Sequence, residues 1–334
     1  MPISKSEKVL VTGGTGFLGA YIIRELVSRG YSVRGIRRKN QLPFFIPPSF
    51  FQKVEWVEGD ILDIAGLEDA MSGVNAVIHA AAMVSLIARE KSAMFKTNIE
   101  GTTNLVNAAL AQNMKRLIHV SSVAVLGRSD QGQMLSEGEQ WGKINLNTNY
   151  AISKYYGEME VWRAIGEGLN AAIVNPSTII GYGDWNVSSC AIFKHVYRES
   201  PWYTNGVNGF VSVEDAAKAI VLLMESDISG ERFILSAENW PFRQLLDTIA
   251  DGFLKKHPWI EAGNLSAQFA WRFDKIRSML TGGRPLLTKE SARLARDKTY
   301  FDNSKILSFF PGFTFKPLRD SLTEACTAYL QCQS

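Results

Sequence analysis

The decapeptide Asn149–Glu158, NYAISKYYGE, carries three tyrosines, one lysine and a glutamate. Residues four apart on a helix share a face, so a helical reading sets Tyr150 beside Lys154 and Lys154 beside Glu158. A phenol next to an ammonium can move protons. A lysine four residues before a glutamate is also an ordinary surface ion pair, with Glu158 at the exposed end of the face. Local sequence leaves both readings open. Two other stretches carry chemistry: the glycine-rich TGGTGFLG (12–19) and HVSSVAVLG (119–127), with adjacent serines Ser121 and Ser122. Metal chemistry is not expected, because His79, His119, His195 and His257 are scattered and Cys190, Cys326 and Cys332 form no C-x-x-C. The same cysteine usage fits a reducing compartment.

The glycine stretch contains Gly14-x-Gly16-x-x-Gly19 and Gly13-x-x-Gly16-x-x-Gly19, after an apolar strand and before an amphipathic helix. Such a loop lets backbone N–H groups and a helix N-terminus meet a pyrophosphate. An acid about 20 residues further on would read a ribose 2′-hydroxyl. This chain instead has RGIRRKN (34–40), with Arg37 and Arg38. Guanidinium groups bind a 2′-phosphate that a carboxylate would repel, so NADP(H) is the preferred cofactor, with NAD(H) as the other. After the third strand, EGDILD (58–63) offers Asp60 to an adenine amino group and Ile61 to the ring; a plain turn aspartate is the bland alternative.

The elements that position these residues follow from periodicity. VLVT (9–12), SVRGI (32–36), VEWV (54–57), AVIHA (76–80), LIHVS (117–121) and AAIVN (171–175) read as buried strands. Helical patterns at Phe17–Ser28, Glu90–Gln112 and Thr148–Glu167 lie between several of them. Near-continuous apolar strands alternating with helices predict an α/β fold, a doubly wound parallel sheet covered on both faces. After Pro176 the alternation breaks: 181–189 and 200–209 look loop-like, ERFILS (231–236) reads as one late strand, and 240–334 is mainly helical. The division expected is a dinucleotide-binding domain over 1–176 with a contribution from 207–236, and a smaller, mainly helical substrate lobe from 177–206 and 237–334. Net charge is +3 over 334 residues, which gives no argument for nucleic acid. The MPISKSEKVLV start shows no signal-peptide pattern and no apolar run reaches the ~20 residues of a membrane span, so a cytoplasmic protein is expected.

Taken together these motifs resemble the extended short-chain dehydrogenase/reductases, closest to the dihydroflavonol-4-reductase and 3β-hydroxysteroid dehydrogenase-like branch, over essentially the full chain. The family's T-G-x-x-G-x-x-G is Thr12–Gly19, its Y-x-x-x-K is Tyr150–Lys154, its strand-end serine is Ser122 and its N-x-x-G-T is Asn98–Thr102. HAAA (79–82), NPSTIIGYG (175–183), GFVSVEDAAKAI (209–220) and YFDNSKI (300–306) resemble further family motifs. The resemblance implies a catalytic Ser122, Tyr150 and Lys154. It implies cofactor contacts from Gly13, Thr15, Gly16, Phe17, Leu18, Gly19, Arg37, Arg38, Asp60, Ile61, Ala80, Ala81, Ala82, Asn98, Tyr150, Lys154, Pro176 and Ser177, with Asn98 positioning helix and cofactor. Ser85, Ser122 and Asn175 are the candidates for touching substrate. In the mechanism so implied, Lys154 together with the positive nicotinamide of the oxidised cofactor lowers the pKa of Tyr150 from its usual value of about 10, and Ser122 hydrogen-bonds the reacting oxygen.

Departures from the wider family narrow the reaction. Val123 and Ala124 follow Ser122 where dehydratase relatives place an acid pair, and Asn208–Gly209 precede Phe210 where nucleotide-sugar enzymes place an arginine. Both favour a reductase of an apolar or aromatic carbonyl compound, or the reverse alcohol oxidation. Asn175 before Pro176 resembles sugar epimerases, which keeps a nucleotide-sugar epimerase or reductase as an alternative; a non-catalytic NADP-binding regulator is the third. Phe44, Phe45, Phe50, Phe51 and Trp56 are expected to pack over the sheet's edge. Leu265, Phe269, Phe273, Ile276 and Leu280 recur at helical spacing beside Arg272, Lys275 and Arg277. A core-facing stripe is the bland reading and a membrane-touching or pocket-roofing helix over 265–280 the sharper one. A homodimer through the helices carrying Asn98 and Lys154 is expected from the family.

Overall fold

The computed structural model describes residues 3–127, 132–139, 148–263 and 294–332; the 265–280 stripe lies outside them. Seven strands form one sheet: β1 (Lys8–Thr12), β2 (Ser32–Arg37), β3 (Val54–Glu58), β4 (Ala76–His79), β5 (Arg116–Val120), β6 (Ala171–Pro176) and β7 (Arg232–Leu235). Their order is β3-β2-β1-β4-β5-β6-β7 and every pair is parallel. The late strand ERFILS thus extends the main sheet, with Ile234 opposite Asn175. Strands β4 to β7 are buried at every position, as their unbroken apolar runs require, whereas β2 and β3 near the other edge mix buried and exposed residues.

Helices α1 (Phe17–Ser28), α2 (Gly101–Ala111), α3 (Asn149–Gly166) and α4 (Val213–Met224) cover the two faces. On one face Ile22 and Leu26 of α1 meet Ile220 and Leu223 of α4. On the other, Leu105 of α2, Val161 of α3 and Leu67 of the Ile64–Met71 helix share a second cluster. Each such side chain, once fully buried, contributes about 1.5–3 kcal/mol.

The helix expected over Glu90–Gln112 is broken into pieces: a 3-10 turn at Ala88–Glu90, α-helix at Lys91–Phe95, a π-helical turn at Lys96–Glu100, then α2. The widened turn carries Asn98, which is buried. The second half also holds more strand than expected. Thr178–Ile180, Val207–Ser212 and Glu238–Pro241 form a three-stranded sheet, so 207–212 belongs there and not to the main sheet. The supposed loop 200–209 contains the Trp202–Tyr203 strand, paired with Ile260–Glu261. An aromatic cluster joins this lobe: Trp185 stacks on Tyr329 at 5.3 Å, and Phe193 lies 5.1 Å from the same ring. Among 44–56, Phe51 is buried and Phe45 stacks on Tyr21, while Phe44 stays exposed. None of the described helices is long and apolar enough to cross a membrane.

α3 comes close to the π-helical turn because residue 157 has no side chain: a Cβ there would strike the Asn98 carbonyl oxygen. Gly157→Ala should therefore lower the urea unfolding free energy by about 1–3 kcal/mol despite alanine's better helix propensity. An unchanged midpoint would show that the two helices part freely.

Candidate active site

Strand order reverses between β1 and β4, and the glycine loop leaves β1 at that crevice. Gly13 has φ +70°, and a Cβ on it would lie 2.7 Å from the Ala81 nitrogen and 2.8 Å from the Ala80 carbonyl. A Cβ on Gly19 would strike the Gly13 carbonyl oxygen. Only glycines let the loop fold this tightly under the Ala80–Ala82 segment. Gly16 opens α1 without a side-chain cap and the first turn holds no acid, so its N–H groups and positive dipole end face the crevice. A cavity of about 220 Å³ results, lined by Gly13, Thr15, Gly16, Arg37, Arg38, Asp60, Ile61 and Ala80–Ala82, all expected from sequence. Thr12, Ile36, Gly59 and Thr97 line it too; they flank expected residues but have no side-chain signature of their own. The shape, the missing Cβ atoms and the unanswered N–H groups fit a dinucleotide.

At the mouth, the Arg37 guanidinium lies over the Trp56 ring at 5.6 Å. Arg38 is 74% exposed, with its guanidinium 4.0 Å from Asp60. Asp60 uses its other oxygen to accept from the Leu62 N–H at 3.0 Å, so the carboxylate shapes its own turn. Phe17 and Leu18 contribute backbone to the helix start; the Phe17 ring packs on Tyr21 and Phe45. Pro176 ends β6, and the Ser177 hydroxyl donates to the Leu235 carbonyl at 3.1 Å, tying strands and not lining the cavity.

Ser122 follows the carboxyl end of β5, accepts from the Ala124 N–H at 3.2 Å and neighbours the Tyr150 phenol. Tyr150 sits in the first turn of α3, capped by Thr148, whose hydroxyl accepts from the Ala151 N–H at 3.0 Å. Asn98 sets this start: its amide nitrogen donates to Ser153 Oγ at 2.9 Å, and that hydroxyl donates to the Tyr150 carbonyl at 2.8 Å. The same amide exchanges two bonds with the backbone of Met83. Asn98 is thus a positioning residue between the strand-end segment and α3.

Several of these groups meet surroundings that differ from the expected ones. Lys154, 3% exposed, directs its ammonium to the Val120 carbonyl at 2.9 Å. Burial lowers its pKa to about 8, with Glu158 opposing. Tyr150 is shifted up: burial raises it and Ser122 only offsets part. Glu158 is no surface partner; it is fully buried, hydrogen-bonded by Asn175 and Trp162 and facing Arg232. Asn175 is likewise 0% exposed, with its amide nitrogen shared between the Ser122 carbonyl and Glu158, so it stands behind Ser122. Ser85 donates to Glu90 and accepts from the Ile87 N–H, closing a local turn. Of the two tyrosines after Lys154, Tyr155 packs inward and Tyr156 is exposed.

Two histidines that were assigned no role lie under this set. His79 and His119 are fully buried with ring centroids 5.2 Å apart. Thr102 donates its one hydroxyl proton to the Asn98 carbonyl and so can only accept from His79 Nε2, which leaves Nδ1 to accept from Thr12. One neutral tautomer is thereby fixed, and it links the ends of β1 and β4 to the π-helical turn. Burial, with the charge of Lys154 adding to it, holds His79 down to about 3 and His119 far below the usual range.

Residues 9–235 match the family model of the NAD dependent epimerase/dehydratase family. A protein of Synechocystis sp. provisionally named dihydroflavonol 4-reductase is 30% identical over 337 residues, covering 97% of this chain and 94% of that protein. A 3-beta-hydroxysteroid dehydrogenase of Mycolicibacterium neoaurum is 31% identical over 246 residues, 70% of this chain and 61% of that one. Among solved structures, a UDP-glucose 4-epimerase of Thermotoga maritima with UDP-glucose superposes with a TM-score of 0.79 at 20% identity, over 98% of this chain and 100% of that one, a likeness of fold.

The buried histidines predict acid sensitivity. Below pH 6.5 the unfolded chain takes up protons that folded His79 and His119 refuse, so stability falls as pH drops, by up to about 1.4 kcal/mol per pH unit per histidine. Both ring nitrogens of His119 are buried without a hydrogen-bond partner. His119→Leu should therefore flatten the fall in urea midpoint between pH 6.5 and 4; parallel curves for variant and wild type would contradict the assignment.

Proposed function

The chain belongs to the NAD dependent epimerase/dehydratase family, within the extended short-chain dehydrogenase/reductases, and is an NAD(P)-dependent oxidoreductase; we propose that it uses NADP(H) to interconvert a carbonyl and a secondary alcohol on a small apolar or aromatic substrate. The observation that carries this reading is the placement of Ser122 at the carboxyl end of β5 beside Tyr150 in the first turn of α3, with the buried Lys154 ammonium one helical turn further on. The glycine cradle ends in the same crevice. Bound there, a nicotinamide dinucleotide supplies or receives the hydride.

The chain's own residues manage the proton. A phenol held above its usual pKa keeps its proton at neutral pH, which suits Tyr150 to donate to a carbonyl oxygen as negative charge grows there. Ser122 is placed to hydrogen-bond the same oxygen, and Lys154 lies close enough to favour the phenolate left behind. The preference for NADP(H) rests on Arg38, exposed at the mouth of the cavity, with Arg37 on Trp56 beside it. An apolar substrate is supported by the two relatives' named substrates, a dihydroflavonol and a hydroxysteroid, and by Val84, 60% exposed just after the cavity-lining alanines. A nucleotide-sugar epimerase is the weaker reading, because the amide nitrogen of Asn175 is engaged by Ser122 and Glu158. The intact Ser–Tyr–Lys set argues against a non-catalytic regulator. A cytoplasmic homodimer belongs to the same reading, with exposed Tyr156 and Met159 on the outer side of α3 as its support.

Two measurements test the proposal on dihydroquercetin and androstane-3,17-dione. Tyr150→Phe should lower kcat by roughly 10²–10⁴-fold while leaving NADPH affinity, read by nucleotide fluorescence, unchanged; undiminished NADPH oxidation would rule out the proton role. Arg38→Ala should raise KM for NADPH by roughly 10- to 100-fold with little effect on NADH, as loss of a charge-assisted hydrogen bond predicts. Wild type favouring NADH would end the NADP assignment.

A further inference from the structure

Behind the proton-transfer set lies a charged cluster with no access to solvent. Glu158 sits one turn after Lys154 on α3 and is 0% exposed. Its carboxylate accepts from Asn175 Nδ2 at 2.9 Å and from Trp162 Nε1 at 3.2 Å, and Arg232 stands 3.5 Å away. Asn175 Nδ2 also donates to the Ser122 carbonyl at 3.2 Å. Both groups it meets are pure acceptors, which fixes the orientation of the amide. Arg232 in turn donates to the Glu137 carbonyl at 2.9 Å and the Glu139 carbonyl at 3.1 Å. A line of contacts thus runs from edge strand β7, through Glu158 and Asn175 of β6, to the backbone of Ser122 after β5.

Stability does not account for this cluster. A buried ion pair often does no better than apolar residues of the same volume. Asn175 also leaves its Oδ1 buried without a hydrogen-bond partner, a loss of about 1–3 kcal/mol. What the cluster does accomplish is geometric and electrostatic. It holds the strand end that carries the Ser122 hydroxyl, and it sets one negative charge one helical turn from Lys154. The other titratable groups around that ammonium are His79 from β4, His119 from β5 and Tyr150 one turn back on α3, none of them anionic at neutral pH.

We infer that Glu158 is a positioning residue for the reaction: anchored by Arg232, it orients Asn175 to hold Ser122 against Tyr150 and keeps Lys154 in its ammonium form. The kinetic part of this inference rests on the Ser–Tyr–Lys reading above; the effect on Lys154 does not. Burial depresses the Lys154 ammonium and Glu158 is the group that opposes it. Removing that charge must lower the pH at which Lys154 loses its proton.

The test uses Glu158→Gln, Asn175→Ala and, as a control, Glu160→Gln, which removes a carboxylate paired with Arg163 on the outer side of the same helix. With NADPH and androstane-3,17-dione or dihydroquercetin, Glu158→Gln and Asn175→Ala should lower kcat by roughly 10- to 100-fold with NADPH affinity unchanged; Glu160→Gln should match wild type. In Glu158→Gln, the alkaline limb of kcat/KM should also move down by about one pH unit or more, which a merely packing role would not produce. The 13Cε resonance of Lys154 in lysine-labelled protein, assigned by its loss in Lys154→Arg, should titrate lower by the same amount without any turnover. Arg232→Lys, which keeps a cation by Glu158 while releasing the Glu137 carbonyl, serves if Glu158→Gln does not fold, and should show the fall in kcat. Should Tyr150→Phe retain activity, the catalytic reading fails and the Lys154 titration still decides the role of Glu158. Should Tyr150→Phe be inactive while Glu158→Gln keeps wild-type kcat and titration, the inference is overturned.

Discussion

An ammonium group held beneath the protein surface is the constraint on which the rest of this site depends. Removing a lysine charge from water costs several kcal/mol, even after relaxation, unless other groups answer it. Here three neighbouring strands answer it. β5 gives the Val120 carbonyl that accepts from Lys154, β6 gives Asn175, and β7 gives Arg232 to fix Glu158. The parallel sheet makes this convergence possible, since strands running the same way deliver their carboxyl ends to one side. The serine, phenol and lysine are the visible members of a group that extends three strands deep.

On the other side of the crevice the demand is for empty space. The glycine loop must pass under Ala80 and Ala81 without a Cβ, and α1 must begin with its N–H groups unanswered. The two halves are coupled through side chains that touch neither a phosphate nor a reacting oxygen. Thr12, His79 and Thr102 join the end of β1 to the π-helical turn, and Asn98 in that turn joins it to the first turn of α3. Cradle and proton donor are therefore held in register by a single buried line of hydrogen bonds. Its histidine must stay neutral, because protonated Nδ1 could no longer accept from Thr12.

The fold was largely legible because burial on both faces leaves an unbroken apolar run, and six such runs are six of the seven strands of the main sheet. The seventh, around Phe233, is just as apolar and was expected as a late strand contributed to the same domain; pairing gives its place beside β6. Glycine and arginine motifs around the cavity were legible for a similar reason: each is local, and spacing alone encodes the turn. The break in the helix around Asn98 was not, since residues 96–100 have ordinary helical character and the extra residue in the turn follows from packing against α3. Glu158 was misread for a related reason. A glutamate four residues after a lysine looks like a solvated pair, and its burial is decided by Arg232, 74 residues further on. The upward push of burial on Tyr150 was not legible, because spacing reports the charge nearby and says nothing about the loss of water. Ser85 and Asn175 resembled ligand contacts by position, while the Ser85 hydroxyl and the Asn175 amide nitrogen answer neighbours within the chain.

The place of Arg232 has a consequence for how the molecule comes into being. It lies on the last strand of the main sheet in chain order, well after the glycine loop, the serine and the tyrosine. Until that strand docks, β6 is an open edge and the carboxylate of Glu158 has no cation beside it. The first 176 residues hold most of the motifs read from sequence, yet without the Arg232 strand they leave β6 unpaired on one side and Glu158 without its cation. A truncated product carrying the whole Ser–Tyr–Lys signature would lack the cation that faces Glu158.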